Sequence, residues 1–280
     1  MKAGGVIQQS VCQMQRSHGA AAVSFDLHQG RARLCDLAQQ GSAKVILPDY
    51  VAAGMAEPEV VFLNTSGGLT GGDSLVYQIT LGEGTRATAT TQTAERAYKS
   101  DQGAARVCVT AKVGAKGWLD WLPQETILFQ SSALHRSTRI DLAADAGCLI
   151  IETIILGRTA MGETVTTLTL QDTREVWRMG RPLMIEPFGL GGNTLADRHA
   201  LLAGAKALAS IAFVTSAAQD ALAPVRAVLD EPDVQGAASG WDGRLTVRLM
   251  AGDGWPLRRQ ILRVLAVLRQ GRPAPRVWQL

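Results

Sequence analysis

The sequence predicts a mainly β protein, in which stacked antiparallel or mixed strands form one β-rich domain with a small helical part at its C-terminus. Short runs of alternating or β-branched residues follow one another through the first two-thirds of the 280-residue chain, and glycine-containing turns separate them. Helical periodicity occurs only near the C-terminus. We therefore assign residues 1–22 to an N-terminal arm and residues 23–280 to a single domain.

Four segments show the strand pattern most clearly. Residues 73–93 alternate on both sides of a Gly-Glu-Gly turn at 82–84, which predicts a hairpin. Residues 104–129 and 138–156 repeat this arrangement, and residues 164–179 are rich in β-branched side chains. The short spacing between turns favours a meander of antiparallel strands over strand–helix–strand crossovers.

Two helices are predicted in the C-terminal part. Residues 216–230 have a possible N-cap in Ser216, but Pro224 should kink or divide the helix. Residues 255–270 form the stronger pattern, with Gly271 as a C-cap. One apolar stripe runs along this second helix and is formed by Leu257, Ile261, Val264, Leu265 and Leu268.

Composition excludes several classes of protein. A hydrophobic content of 46% and a charged content of 19% are ordinary for a globular chain. The longest apolar run, residues 148–156, is interrupted by Glu152 and is too short to span a bilayer. The net charge of +3 gives no reason to expect nucleic acid as a partner. We expect no membrane or nucleic-acid partner.

The cysteines and the N-terminus indicate a cytoplasmic protein. The N-terminus has no apolar segment of signal-peptide length. The chain has four cysteines, none in a Cys-x-x-Cys pair, which favours reduced thiols over disulfides or a zinc cluster. They are Cys12, Cys35, Cys108 and Cys148.

The segment NTSGGLTGGDSL at residues 64–75 has the glycine spacing of a phosphate-binding loop. Such a loop needs a lysine and a following helix, because both help to bind the phosphates. Here Asp73 stands at the lysine position and a strand pattern follows. We therefore assign no nucleotide-binding residues and interpret the segment as a turn in which the aspartate begins a strand. Its carboxylate suits a cation better than a phosphate.

Acidic residues inside apolar strands are the strongest candidates for a site. Glu152 and Glu125 both stand among residues that should be buried, where a carboxylate is costly unless it is paired, hydrated or functional. One interpretation is an ion pair with a buried arginine such as Arg158 or Arg139. The other is a polar, water-containing passage whose oxygen ligands guide a divalent cation without holding it tightly.

Catalytic motifs give little support to an enzyme. The chain has neither G-x-S-x-G nor H-E-x-x-H, so we assign no catalytic residue. The enzyme alternative that stays open is a β-fold hydrolase with Asp73 and either Glu125 or Glu152 as its acid and base.

The C-terminus is basic. No acidic residue follows Asp253, whereas the segment contains Arg258, Arg259, Arg263, Arg269, Arg272 and Arg276. Such a run is either a solvated helix face or a surface that docks onto an acidic partner. For the second interpretation the candidate partner-binding residues are Arg258, Arg259, Arg263, Leu265 and Trp278.

Six segments follow one another along the chain: SGGLTGGDSL (66–75), GTRATATTQTAERAYKS (84–100), WLDWLPQETILF (118–129), GRTAMGE (157–163), REVWRMGRPLMIE (174–186) and RPAPRVW (272–278). In these segments and their order the chain resembles, from about residue 23 to its end, the urease accessory proteins called UreD, or UreH in some organisms. The family fold is β-rich with a small helical part, in agreement with the pattern described above.

The resemblance implies a non-enzymatic scaffold for assembly of the urease nickel centre. Similar proteins bind the urease apoprotein and UreF, which recruits the GTPase UreG, and an internal water-filled tunnel is the expected nickel route. By the resemblance the family's positions along that route fall on Asp73, Thr90, Thr91, Glu125 and Glu152. No tightly bound cofactor is implied, only transient nickel.

The chain departs from the family pattern at several positions. NTSGG stands at 64–68 where the family has HPPGG, so a histidine that could meet a metal ion is replaced by Asn64. AYKS replaces FYRS at 97–100, and the GRT at 157–159 replaces GRP. Ser74 stands where an acid often follows the family's GGD.

Overall fold

The computed structural model describes residues 15–48, 57–158 and 161–279. The strands in this part of the chain are β1 (His18–His28), β2 (Arg31–Gly41), β3 (Ala43–Ile46), β4 (Glu59–Asn64), β5 (Ser74–Leu81), β6 (Arg86–Thr91), β7 (Glu95–Ala97), β8 (Ala105–Val113), β9 (Trp118–Leu122), β10 (Thr126–Leu128), β11 (Ala133–Leu142), β12 (Gly147–Leu156), β13 (Thr169–Arg178), β14 (Arg181–Leu190), β15 (Ala207–Val214), β16 (Val234–Trp241) and β17 (Arg244–Ala251). The helices are α1 (Gly192–Ala196), α2 (Arg198–Leu202), α3 (Leu222–Ala227) and α4 (Gly254–Leu268), with 3₁₀ turns at Ala218–Ala221 and Arg276–Trp278.

The strands form two sheets. The seven-stranded sheet has the order β14-β13-β11-β8-β5-β1-β2. The ten-stranded sheet has the order β16-β17-β15-β12-β9-β6-β4-β3, with β7 and β10 attached beside β12. Strands at the centre of each sheet are parallel, and antiparallel pairs lie toward the edges. The predicted mainly β fold of stacked, mixed strands is confirmed.

The predicted hairpins are wrong. Strands β5 and β6, which flank the turn at 82–84, belong to different sheets, and the same holds for β8 and β9 and for β11 and β12. Each turn carries the chain from one sheet to the other, so neighbours within a sheet run parallel. Strand β5 buries alternate side chains in the shared core, and β6 places Ala87 and Ala89 there, although its residues 87–90 are all buried. A hairpin would produce the same alternation, and the sequence pattern therefore does not distinguish the two arrangements.

Strand β12 is buried on both faces. Cys148, Ile150 and Ile154 pack in the core between the two sheets. Leu149 and Ile151 pack in a second core between the ten-stranded sheet and the helices. A continuous apolar run is typical of such a doubly covered strand. Glu152 has the same parity as Ile150 and Ile154, so its side chain enters the space between the sheets.

Helix α4 covers the outer face of the ten-stranded sheet. Asp253 caps its N-terminus by accepting a hydrogen bond from the Trp255 backbone N–H at 2.9 Å. The predicted apolar stripe is confirmed, because all five of its members are buried in the second core: Leu257, Ile261, Val264, Leu265 and Leu268. The prediction for 216–230 corresponds to the short turn at Ala218–Ala221 followed by α3.

Two elements differ from the sequence prediction. Helices α1 and α2 occur at 192–202, where no helix is predicted. The predicted arm is wrong for residues 18–22, which lie in β1 and pair with β5, whereas residues 1–14 lie outside the described part. Gly19 permits the close approach of β3, because a Cβ there would lie 2.5 Å from the Ala43 backbone nitrogen. No helix in the described ranges is long and apolar enough to cross a membrane.

Candidate functional site

Charged side chains lie in the space between the two sheets. Arg136 of β11 is held between Asp172 of β13 and Glu152 of β12, and all three are buried. Its Nε and Nη2 donate hydrogen bonds to the two Asp172 oxygens at 3.1 and 2.8 Å. Its Nη1 lies 2.7 Å from Glu152 Oε2. Both carboxylates are therefore compensated by one guanidinium group inside the core.

The two carboxylates differ in their surroundings. Glu152 Oε1 accepts hydrogen bonds from Trp121 Nε1 at 3.2 Å and Thr138 Oγ1 at 3.3 Å. Burial raises the pKa of Glu152, and the charge of Arg136 opposes that shift without cancelling it. Burial also acts to raise the pKa of Asp172, but the charge and hydrogen bonds of Arg136 outweigh it and lower the pKa. Asp172 is thus the more firmly ionised partner of Arg136.

The buried arginine is not one of the two expected from the sequence. Arg139 lies on the opposite face of β11 and pairs with Asp141 at 2.9 Å, and Arg158 pairs with Glu163 at 2.9 Å. Arg136 has the parity of Thr138 and Ile140, whose side chains are buried between the sheets. Strand periodicity, rather than proximity in sequence, selects the ion-pair partner.

The polar network continues from the core to the surface. The Nε of Arg174 lies 3.8 Å from Asp172 Oδ2 and 3.6 Å from Glu186 Oε2. Glu186 also forms an ion pair with Arg248 and accepts a hydrogen bond from Ser210 Oγ at 3.2 Å. Arg248 is 60% exposed, so the network reaches solvent at this end.

Three cavities are linked by shared lining residues; we call them the large, middle and loop cavities, and together the row. The large cavity, about 470 Å³, is lined by Glu152, Arg174, Glu186 and Arg248 among apolar residues. The middle cavity, about 40 Å³, also contains Glu152 in its wall, together with Arg136. The loop cavity, about 100 Å³, lies beside the glycine-rich segment. It shares three lining residues with the middle cavity, namely Tyr77, Thr91 and Glu95.

The loop cavity is the polar end of the row. Asn64 Nδ2 lies 3.2 and 3.3 Å from the two Glu95 oxygens. Burial raises the pKa of Glu95, and hydrogen bonds from the Arg96 backbone and Asn64 oppose the shift. The asparagine that replaces the family's histidine therefore contacts a carboxylate at the cavity wall.

The other departures lie elsewhere. Ser74 Oγ lies 2.8 Å from His18 Nδ1, at the pairing of β5 with β1. Ala97 is buried, and exposed Lys99 pairs with Asp101 at 3.0 Å. Thr159 lies outside the described residues.

The two predicted threonines are near the row of cavities. Thr90 is fully buried and donates a hydrogen bond to the Leu122 carbonyl at 2.6 Å. Thr91 Oγ1 accepts a hydrogen bond from the Gln124 backbone N–H at 2.9 Å and lines both the middle and the loop cavities. Thr91 therefore faces the row, whereas the Thr90 hydroxyl joins β6 to β9.

Asp73 has a structural role in this conformation. Its two oxygens accept hydrogen bonds from the backbone N–H groups of Ser17 and Thr70, both at 2.8 Å. The side chain is buried and contributes to none of the three cavities. The predicted cation-facing carboxylate instead closes the glycine-rich turn and fixes the start of β1.

Glu125 is separated from the row. It lies in an outer groove of about 510 Å³ on the face of the ten-stranded sheet that α4 covers, beside Ile155 and Trp255. One of its oxygens is 3.6 Å from Arg258 Nη1. The structure thus brings together Glu152 and Thr91 of the predicted nickel-route residues and leaves Asp73 and Glu125 outside. It likewise gives no support to a hydrolase that pairs Asp73 with either glutamate.

The predicted partner-binding residues divide into two groups. Leu265 and Trp278 are buried within the chain, and Trp278 Nε1 donates to the Leu122 carbonyl at 3.0 Å. Arg258 lies over the Trp278 ring at 4.8 Å and donates to its carbonyl. In the folded chain these three side chains make internal contacts, and their role in partner binding stays a prediction.

Only two of the predicted partner-binding residues, Arg259 and Arg263, have half-exposed side chains. Arg259 and Arg263 both contact Glu231, at 2.6 and 3.1 Å, on the solvent side of α4. Farther along, Arg269 is buried and its Nε donates to Asp120 Oδ2 at 3.0 Å. Much of the basic C-terminus thus holds the chain together.

Arg136, Asp172, Arg174 and Glu186 were missed by the sequence interpretation. A signal existed in β13, where Asp172 and Arg174 occupy positions of the same parity as buried Leu170 and Val176. Charged residues at core positions of one strand indicate partners across the core. Within the described ranges no group of three or more His, Cys, Asp or Glu residues is arranged to hold a metal ion.

Fold and site together define a two-sheet β protein with an ion-paired polar interior. Residues 17–279 match the family described as UreD urease accessory protein, and the chain belongs to that family. It is 57% identical to the urease accessory protein UreD of Cereibacter sphaeroides over 95% of this chain and 96% of that protein. The UreD protein of Paracoccus denitrificans is 52% identical over 95% of this chain and 94% of its own. The UreD protein of Rhizobium leguminosarum bv. trifolii is 44% identical over 95% of this chain and 96% of its own.

Family membership confirms the resemblance found in the sequence. The protein is an accessory factor in assembly of the urease metallocentre and not an enzyme. An accessory factor of this kind acts together with urease and other accessory proteins.

Proposed function

We propose that this protein binds UreF and the urease apoprotein in the cytoplasm, that UreG joins through UreF, and that nickel moves to urease through the row of three cavities. The observation that carries the nickel route is the row itself, since Glu152 lines both the large and the middle cavity. Nickel is cargo in this proposal, and no tightly bound cofactor is required. The free thiols of Cys35, Cys108 and Cys148 fit a reducing compartment.

The chemistry of the row suits transfer rather than storage. Its oxygen donors are spread along the cavities, with Glu95 at one end, Glu152 in the middle and Glu186 at the other. Single carboxylates bind a divalent cation weakly compared with a cluster of ligands, so each contact can be exchanged for the next. A middle cavity of about 40 Å³ has room for about one water molecule, which favours single-file movement.

Glu152→Gln tests the route. The amide keeps the size of the side chain and can still accept from Trp121, but it removes the charge that attracts the cation. In a host deleted for this gene, we expect complementation with Glu152→Gln to leave urease protein at its normal level and to lower its nickel content several-fold. Glu125→Gln is the matched control, because Glu125 lies in the outer groove, and should restore full loading.

Two results would contradict the proposal at different levels. Normal nickel content with Glu152→Gln, in a variant that melts like the wild type, would exclude a route past Glu152. Normal nickel content in the deletion strain, with no second copy of the gene, would exclude the delivery function as a whole.

We place the UreF contact on the solvent side of α4, around Arg259 and Arg263. Truncation before Gly254 does not test this, because α4 supplies five apolar side chains to the second core and its loss would unfold the chain. The double substitution Arg259→Gln/Arg263→Gln is a surface test. We expect it to reduce co-purification of UreF, whereas Arg31→Gln/Arg33→Gln on exposed positions of β2 should not. Equal recovery with both double variants would exclude this surface.

A further inference from the structure

The row of three cavities contains a positively charged side chain, Arg136, beside Glu152. Glu152 is the residue that the walls of the large and middle cavities share, so an ion that moves between them comes close to its side chain. Nη1 of Arg136 lies 2.7 Å from Oε2 of that carboxylate and also donates to Thr126 Oγ1 at 3.1 Å. The guanidinium group thus occupies the position from which a cation would approach Glu152.

The ion-paired network is already balanced without a metal ion. Arg136, Arg174 and Arg248 are linked through ion pairs to Glu152, Asp172 and Glu186. A divalent cation entering the network would add two positive charges beside a buried guanidinium. Repulsion between like charges is strong away from bulk water. Glu152 can therefore act as a ligand only when its contact with Arg136 is open.

Arg136 is held more firmly by Asp172 than by Glu152, so its contact with Glu152 can open by itself. Two parallel hydrogen bonds join it to Asp172, an arrangement that fixes the guanidinium plane. Only Nη1 faces Glu152, whose other oxygen is held by the neutral donors Trp121 and Thr138. Because the guanidinium is fixed on Asp172, the contact with Glu152 opens by rotation of the Glu152 side chain, while Arg136 stays bound to Asp172.

We propose that Arg136 is the gate of the nickel route: it neutralises Glu152 while no metal ion is present and must release that carboxylate before a divalent cation can pass between the middle and large cavities. This proposal rests on the delivery function proposed above. It explains how a buried carboxylate on the route can be kept compensated in the empty protein.

Arg136→Met should unmask the carboxylate. A neighbouring positive charge lowers the affinity of a carboxylate for the proton by about one to three powers of ten. We use the same range for its affinity for another cation. We expect the purified Arg136→Met protein to bind Ni²⁺ at least about tenfold more tightly than the wild type in a calorimetric titration with NiCl₂ at alkaline pH, where protons compete least for the Glu152 carboxylate. Arg136→Lys retains the charge and should show no such gain.

Matched variants separate this effect from others. Arg139→Met removes the same charge from the outward face of the same strand, and it leaves all four histidines in place, so its Ni²⁺ affinity should equal that of the wild type. Adding Glu152→Gln to Arg136→Met should abolish the gain. If Arg136→Met does not fold, Arg136→Met/Asp172→Asn removes one charge of each sign and should show the same gain through Glu152.

The gate is excluded if a folded Arg136→Met protein binds Ni²⁺ no better than Arg139→Met, or if the gain survives Glu152→Gln. These titrations use the isolated chain, so they do not depend on urease. If the titrations show no gain but nickel loading of urease still depends on Glu152, the gate is excluded and the delivery function stands. Normal loading in the deletion strain would remove the delivery function regardless of the titration.

Discussion

Asp120→Ala should destabilise the protein strongly, because Asp120 joins the ten-stranded sheet to the C-terminus. Asp120 is fully buried in β9, and its Oδ2 accepts from Arg269 Nε at 3.0 Å while Oδ1 accepts from Trp118 Nε1 at 2.6 Å. Loss of the carboxylate would leave the buried guanidinium of Arg269 without its anion. Breaking a buried ion pair in this way costs about 3–5 kcal/mol of unfolding free energy.

Urea denaturation followed by tryptophan fluorescence measures this loss. Asp141→Ala is the matched control, since Asp141 pairs with Arg139 on the exposed face of β11 and such pairs contribute little. Adding Arg269→Met to Asp120→Ala should cost little more than Asp120→Ala alone, because the two side chains belong to one pair. An Asp120→Ala variant as stable as Asp141→Ala would refute the reasoning.

Three further substitutions test other contacts. Asp172→Asn should make stability less dependent on acid pH: its folded-state pKa lies below its unfolded value of about 3.9, so its contribution is complete above that value and is lost as pH falls through the folded pKa. The difference in melting temperature between Asp172→Asn and the wild type should therefore shrink below about pH 4. A difference that grew as the pH fell would contradict the pairing of Asp172 with Arg136. Asp73→Ala leaves two backbone N–H groups without their acceptor and should cost about 1–3 kcal/mol in urea denaturation. If its structural role is correct, urease nickel content should fall no further than the amount of folded protein does. Gly19→Ala should lose about 1–3 kcal/mol because its Cβ would meet the Ala43 backbone. Gly252→Ala, which has open space around it, should melt like the wild type, and equal stability of both alanine variants would contradict the close approach at Gly19.

The sequence predicted the β-rich class and α4 because both depend on local periodicity. Every member of the apolar stripe of α4 is buried, as expected from its spacing. Sheet order was not predictable in this way. The turn at 82–84 contains the glycines of a hairpin turn, yet it carries the chain between two sheets, and local residues do not record which sheet the next strand joins.

The candidate site was predictable only in part for the same reason. Glu152 was recognised because a carboxylate in a continuous apolar run is conspicuous. Arg136 and Asp172 lie in strands that also carry exposed charges, so only their parity marks them as internal. Asp73 shows the opposite error: a carboxylate that looks available in the sequence is used by two backbone N–H groups that lie three and 56 residues away.

The passage of the chain back and forth between the sheets has a consequence for how this protein reaches its native state. Hydrogen-bonded neighbours such as β5 and β8 are separated in sequence by β6 and β7, which belong to the opposite sheet. The seven-stranded sheet lacks its last strand until β14, and the ten-stranded sheet also needs β15, β16 and β17, so few native contacts are available to a short nascent chain. A topology dominated by such non-local pairing folds slowly. The free protein should therefore spend a long time with apolar strands uncovered during synthesis, and early association with its partners would shorten that exposure.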